Sequence, residues 1–272
     1  MAIPLAAILS HLGLGDPAPT LPFLNRLLLA WSAHIPWESA SRIARHQRPG
    51  SPQDHARLPE AFFADALRLG TGGTCFESNL ALRALLEAVG FCGRLAFCDM
   101  ETKTIDPHCA FIVEHDGARY LADVGYPVPA ALRLDPHAPT GVETPAYRYH
   151  ARPVGPERWE VWRTSGGFQQ RAFWVNGQGV DDATFYARLL RDHEPNGLFL
   201  DEVILMRVEG DHIWRYSEDK GLVRRVMGGE EPVPLTAAQR AALPATLAGR
   251  FGVDERVVAA ALARRPPDGV WG

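Results

Sequence analysis

Four apolar residues downstream of Cys75 (Leu82, Leu85, Leu86 and Val89) recur at i, i+3, i+4 and i+7, the stripe of an amphipathic helix that Gly90 then stops. The same period predicts helices over 5–12, 21–32 and 59–69, with Pro17, Pro19 and the stretch 45–53 as loops between them. From residue 94 the pattern shortens to strands at 94–100, 109–114, 118–124, 147–151, 159–163 and 169–175, separated by turn residues. A helix over 181–191 follows, then strands at 203–208, 212–216 and 222–226. A capping box from Thr236 to Gln239 opens a short helix, and Asp254 caps a last one over 255–263. Helices first, strands next and a mixed tail argue for an α+β fold rather than alternating βαβ units. The expected organisation is an N-terminal helical bundle over 1–90, a central antiparallel β-barrel-like sheet over 91–195 and a C-terminal α/β lid over 196–272.

Charge and composition narrow the function classes only slightly. A net charge of −4, with no basic stripe carrying interleaved aromatics, argues against nucleic acid as a partner. No apolar run reaches membrane-spanning length, and the first fourteen residues lack the basic start of a signal peptide, so a cytoplasmic location is expected. Cys75, Cys92, Cys98 and Cys109 show no CxxC pairing and no zinc-type histidine spacing, so no metal is expected. Cys92, Cys98 and Cys109 read as packing residues. His46, His55, His137 and His193 have no partner pattern and are expected at the surface.

Cys75 is different because Gly72 and Gly73 precede it and a helical pattern follows it. At a helix N-terminus the unpaired N–H groups and the helix dipole favour an anion, which lowers a thiol's pKa. A nucleophilic cysteine needs a base and an orienting group. Asp116-Gly117 is a strong two-residue hairpin signal between strands 109–114 and 118–124. With that turn, His108 comes opposite Gly125, and His108 and Asp123 are diagonal neighbours on one face, roughly 7–8 Å apart along the backbone. A one-residue slip would separate them. The spacing therefore suggests a Cys75-His108-Asp123 triad.

These residues also carry a family resemblance. Thr71-Gly72-Gly73-Thr74-Cys75-Phe76-Glu77-Ser78-Asn79 resembles the Arg-Gly-Gly-x-Cys-x-Glu-x-Asn motif of the arylamine N-acetyltransferases. Asp123-Val124-Gly125-Tyr126 resembles that family's Asp-Val-Gly-Phe, and Pro36-Trp37-Glu38-Ser39 its Pro-Phe-Glu-Asn. The resemblance implies a cysteine-protease-like core with Cys75, His108 and Asp123 as triad, and acetyl-CoA or another acyl-CoA as co-substrate. It also implies an arylamine or hydrazine acceptor and a ping-pong reaction through a Cys75 thioester. It assigns Trp37, Phe76, Gly125 and Tyr126 to substrate binding, and Glu38, Glu77 and Asn79 to structural support.

Three positions depart from the family pattern: Thr71 replaces the motif arginine, Ser39 replaces an asparagine, and Pro127 follows Tyr126. Glu38 thereby loses its expected arginine partner, and Arg42, one helical turn on, is the expected replacement. The departures keep other readings open. One is an amide synthase that releases an acyl chain from a carrier protein with an aromatic amine. Another is a transglutaminase-like cysteine hydrolase, and a non-catalytic binding module is the least favoured.

Overall fold

A computed structural model of the protein describes residues 3–101 and 107–264. Six helices and one short strand precede the first long sheet: α1 (Leu5–His11), α2 (Leu21–His34), β1 (Trp37–Glu38), α3 (Ala40–His46), α4 (Pro52–His55), α5 (Pro59–Leu69) and α6 (Cys75–Val89). Their boundaries follow local chemistry. The Thr20 side chain caps α2 by accepting from the Phe23 N–H, while Gly70 and Gly90 end α5 and α6 in the left-handed conformation. The apolar stripes of α2, α5 and α6 close on one core around Leu24, Leu28, Trp31, Phe62, Leu82 and Leu86, all buried. Each such side chain contributes about 1.5–3 kcal/mol.

The strands β2 (Cys92–Asp99), β3 (His108–His115), β4 (Ala118–Asp123), β5 (Val128–Arg133), β6 (Thr140–Glu143), β7 (Arg148–Gly155), β8 (Arg158–Ser165) and β9 (Phe168–Asn176) form one antiparallel sheet in the order β5-β4-β3-β2-β9-β8-β7-β6. Its end strands β5 and β6 are consecutive in the chain and lie against each other, so the sheet curls into a nearly closed barrel. The barrel encloses Ile112, Leu121, Trp159, Val161 and Phe173. After α7 (Asp182–Arg191) come β10 (Ile204–Glu209), β11 (His212–Ser217), β12 (Gly221–Val226) and β13 (Gly229–Pro232), then α8 (Ala237–Ala241), α9 (Leu243–Phe251) and α10 (Glu255–Ala263). These four strands extend β1, in the order β1-β10-β11-β12-β13, and α3, α9 and α10 cover the sheet around Ala40, Ile43, Leu205, Leu247 and Val257. The fold is α+β.

The expected hairpin register is present. His115 pairs with Ala118 and Phe111 with Ala122, and Asp116 and Gly117 both take positive φ, as a two-residue turn of that twist requires. Differences from the sequence expectation lie where tertiary pairing overrides local pattern. Val128–Arg133 is Ala-rich and weakly strand-prone, yet it pairs with β4 as β5. The stretch 45–53 does not begin as a loop, because α3 runs to His46 and α4 starts at Pro52. The strands β1, β6 and β13 are too short to show a period.

Candidate active site

Cys75 is the first residue of α6, and the chain reaches it through a turn held tightly against its neighbours. Glycine is required there: a Cβ on Gly72 would lie 1.6 Å from the Pro36 carbonyl oxygen. The Gly73 carbonyl accepts from the Glu38 N–H, which locks the turn to β1. From the opposite side, Gly125 comes so close that a Cβ on it would stand 2.6 Å from both Cα and Cβ of Cys75.

His108 opens β3 and Asp123 ends β4, and His108 Nε2 is 2.7 Å from Asp123 Oδ2 with both side chains buried. A register irregularity between β4 and β5 spans Leu121 to Asp123, the kind of bulge that re-aims a side chain. The other carboxylate oxygen of Asp123 accepts from the N–H groups of Gly125 (2.9 Å) and Tyr126 (3.0 Å) and from Asn79 Nδ2 (3.1 Å). Asn79 also donates to the Cys109 carbonyl at 2.8 Å and accepts from the Val124 N–H at 3.2 Å. It thereby pins α6 to both strands of the hairpin.

The electrostatics favour a charged pair. The Cys75 thiol is pulled down to about 6, first by a hydrogen bond from Cys109 and then by His108, against the opposing effect of burial. Burial works against charging His108, but the Asp123 carboxylate and Cys75 outweigh it and raise the imidazole to about 10. Because Nε2 is engaged by Asp123, Nδ1 is left to exchange a proton with the thiol. Cys109, expected to be a packing residue, is buried but polar in its role: its Sγ lies 3.5 Å from the Cys75 carbonyl oxygen, and burial pushes its own thiol well up.

Beneath the turn lies a fully buried guanidinium that the sequence pattern did not single out. Arg57 Nη2 donates to Glu77 Oε2 (2.7 Å), the Gly72 carbonyl (2.7 Å) and Ser41 Oγ (3.1 Å), and Nη1 donates to Thr71 Oγ1 (3.3 Å). Arg57 is also the main cation acting on Glu38, whose carboxylate accepts from the Ser41 N–H at 2.7 Å. Arg42 does not take the Glu38 partnership expected of it. Glu38 lies on β1, outside α3, so the i, i+4 relation does not exist; Arg42 Nη1 instead sits 3.4 Å from Asp192 and donates to the Leu198 carbonyl at 2.9 Å. Glu38 is held up by burial, whereas in Glu77 the cost of burial is outweighed by Arg57 and His193, which hold it well below the usual carboxylate range. Ser39 uses its hydroxyl to bind the Glu202 carbonyl at 2.7 Å and the Ile204 N–H at 2.9 Å, fastening the turn region to β10.

A cleft of about 230 Å³ opens above Cys75 and His108, lined by Trp37, Gly125, Tyr126, Pro127, Tyr147, Phe199 and the arginines Arg163, Arg215 and Arg225, among others. Three of the four residues assigned to substrate binding therefore face it. Phe76 does not: it is fully buried in the helical core, 5.3 Å from Phe185, because the second residue of α6 points away from the turn. His55 and His193 are buried rather than superficial, with His193 Nε2 3.4 Å from Glu77 Oε1 and His55 Nε2 3.0 Å from the Arg48 carbonyl oxygen. Cys92 is exposed at the start of β2 rather than packed. Among the described residues, no helix is long and apolar enough to cross a membrane, and no group of three or more His, Cys, Asp or Glu side chains is placed to hold a metal ion.

A helix-borne cysteine beside a strand-borne His–Asp pair is the arrangement of enzymes that work through a thiolate nucleophile. The N-acetyltransferase family model matches residues 20–256, and the chain belongs to that family. It is 32% identical over 136 residues to an arylamine N-acetyltransferase of Mycolicibacterium smegmatis, a match covering 46% of this chain and 47% of the relative. The chain thus aligns with about half the length of that curated relative. Among solved structures, the M. smegmatis arylamine N-acetyltransferase superposes with a TM-score of 0.81 at 22% identity, over 97% of both chains. The Mycobacterium marinum arylamine N-acetyltransferase in complex with CoA superposes with a TM-score of 0.80 at 21% identity, over 96% of this chain and 99% of that one. These superpositions establish the shared fold.

Proposed function

We propose that the protein is an arylamine N-acetyltransferase that moves an acetyl group from acetyl-CoA to an aromatic amine or hydrazine through a thioester on Cys75. The observation that carries this reading is the 2.7 Å contact between His108 and Asp123 beside a cysteine on the first residue of α6, at the floor of an aromatic cleft. The family match and the CoA held by a structural relative support a CoA thioester as donor.

In the first half-reaction the Cys75 thiolate attacks the acetyl carbonyl and forms a new C–S bond. The oxyanion collapses with cleavage of the bond to CoA, and the proton held by His108 goes to the departing CoA sulfur. In the second, the neutral amine attacks the Cys75 thioester, His108 takes the amine proton, and the C–S bond to Cys75 breaks to return the thiolate. Asp123 holds the ring in one tautomer and stabilises its charged form. The Cys75 N–H at the helix start is placed to stabilise the oxyanion in both halves. One cleft serves both substrates in turn. A cytoplasmic setting suits a CoA donor.

The test is release of CoA from acetyl-CoA with and without an arylamine. Amine-dependent release by the wild type, lost in Cys75→Ala, is expected; equal release by Cys75→Ala would remove the proposal's basis.

A further inference from the structure

Cys109 is a second thiol beside the nucleophile, and it takes no bond in acetyl transfer. It follows His108 on β3, so its side chain leaves the opposite face of the strand and enters the core it shares with the first turn of α6. There its Sγ lies 3.5 Å from the Cys75 carbonyl oxygen, and its S–H bonds to the Cys75 sulfur. Asn79, one helical turn beyond Cys75, fixes Cys109 in that place: its Nδ2 is 2.8 Å from the Cys109 carbonyl oxygen and 3.9 Å from the Cys109 Sγ. The two thiols differ in access and in charge. The cleft reaches Cys75 and His108, whereas Cys109 has no exposed surface. Cys75 is drawn toward the thiolate by that hydrogen bond and by His108, while burial and the neighbouring Cys75 keep Cys109 protonated.

We propose that Cys75 and Cys109 are a disulfide-forming site: a hydroperoxide entering the cleft oxidises Cys75, and Cys109 then closes an intramolecular disulfide that withdraws the nucleophile reversibly. A solvent-reached thiolate poised next to a second thiol is the arrangement such chemistry requires. In the first step the Cys75 thiolate attacks one peroxide oxygen. An S–O bond forms, the O–O bond breaks, and the departing oxygen takes the proton held by His108. Sulfur loses two electrons and the peroxide gains them, which leaves a sulfenic acid on Cys75. Cys75 is then uncharged, so its share in keeping Cys109 protonated is gone. In the second step the Cys109 sulfur displaces the hydroxyl from the Cys75 sulfur. The S–S bond forms as the S–O bond breaks, and the Cys109 proton leaves with the hydroxyl as water. A sulfinic acid would have to fit two oxygens where Cys75 is only 4% exposed, whereas the disulfide needs no new volume.

The test exposes the wild type, Cys109→Ala and Cys75→Ser to hydrogen peroxide, with and without dimedone, and reads them by intact-mass and peptide-mapping mass spectrometry. The wild type should lose two hydrogens and yield a cross-linked peptide joining Cys75 to Cys109, reversed by dithiothreitol, with little dimedone adduct. Cys109→Ala should instead accumulate the dimedone adduct on Cys75. Without dimedone it should pass on to a sulfinic acid that dithiothreitol does not reverse. Cys75→Ser should leave Cys109 unmodified, because the oxidant does not reach that sulfur. A wild type that takes up oxygen on Cys75 without the cross-link, stays unoxidised there, or pairs Cys75 with Cys92 or Cys98 would overturn the proposal. Those outcomes are read on the wild type, so they decide the matter even where a variant fails to fold. No acetyl group moves in the measurement, so failure of the acetyltransferase reading would leave its result intact.

Discussion

Arg57 Nη2 and Glu77 Oε2 lie 2.7 Å apart beneath the turn that presents Cys75, and both side chains are buried. The same guanidinium holds the Gly72 carbonyl and the Thr71 hydroxyl, so Thr71 is no gap in the network. An arginine from the loop before α5 fills the space from the other side. Removing it leaves Glu77 and Glu38 buried without the main cation acting on each. Arg57→Ala is therefore expected to lose about 3–5 kcal/mol in denaturant unfolding. A loss below about 1 kcal/mol would show that the network is not the support described here.

Gly125 offers a steric test of the way the β4–β5 turn meets α6. A methyl group there would stand 2.6 Å from the Cys75 backbone and from Asn79 Nδ2, with rigid elements on both sides. Gly125→Ala is expected to destabilise the protein by about 1–3 kcal/mol through overpacking and to displace Cys75 from His108. Slower acetyl transfer and slower alkylation of Cys75 should accompany each other. A variant with wild-type stability and rate would contradict the close approach.

The charged pair gives a pH dependence of definite sign. With Cys75 pulled down to about 6, the thiolate is present above that pH; with His108 raised to about 10, the imidazolium persists below that one. Iodoacetamide labelling of Cys75 should therefore rise through pH 6 and level off toward neutrality, well below the ordinary thiol midpoint of about 8.5. Cys109→Ala removes the largest stabilising contact and should move that midpoint upward. A midpoint near the ordinary thiol value in the wild type would show that the thiolate is not stabilised.

Asp123 acts through His108. Asp123→Asn withdraws the charge that raises the imidazole, so the range of the thiolate–imidazolium pair should contract from its alkaline end. Acetyl transfer should drop by about a hundredfold or more, since correct general acid–base placement is worth about that much. Retention of the wild-type rate would mean that the 2.7 Å contact has no part in the reaction.

Much of this geometry is legible in the chain because it is local. Gly90, the Leu82–Val89 stripe and Gly72-Gly73 place Cys75 at a helix start, and Asp116-Gly117 sets the hairpin register that brings His108 to Asp123. The partners missed are set by tertiary packing. Arg57 reaches Glu77 and Thr71 across 20 and 14 residues of chain, and no period or motif marks it. The expected Glu38–Arg42 pair failed because a two-residue strand, β1, is too short to show in sequence, and it removes Glu38 from the helix that the i, i+4 argument needs. Phe76 falls at an unspecified position of the motif, and only the direction of the first turn of α6 shows that it enters the core.

The most direct test of the central claim is intact-mass spectrometry after incubation with acetyl-CoA in the absence of amine. The account predicts a gain of one acetyl group, mapped to the peptide carrying Cys75, absent in Cys75→Ala and discharged on adding an arylamine. An enzyme that acetylates the amine while no acetyl group ever resides on Cys75 would contradict it.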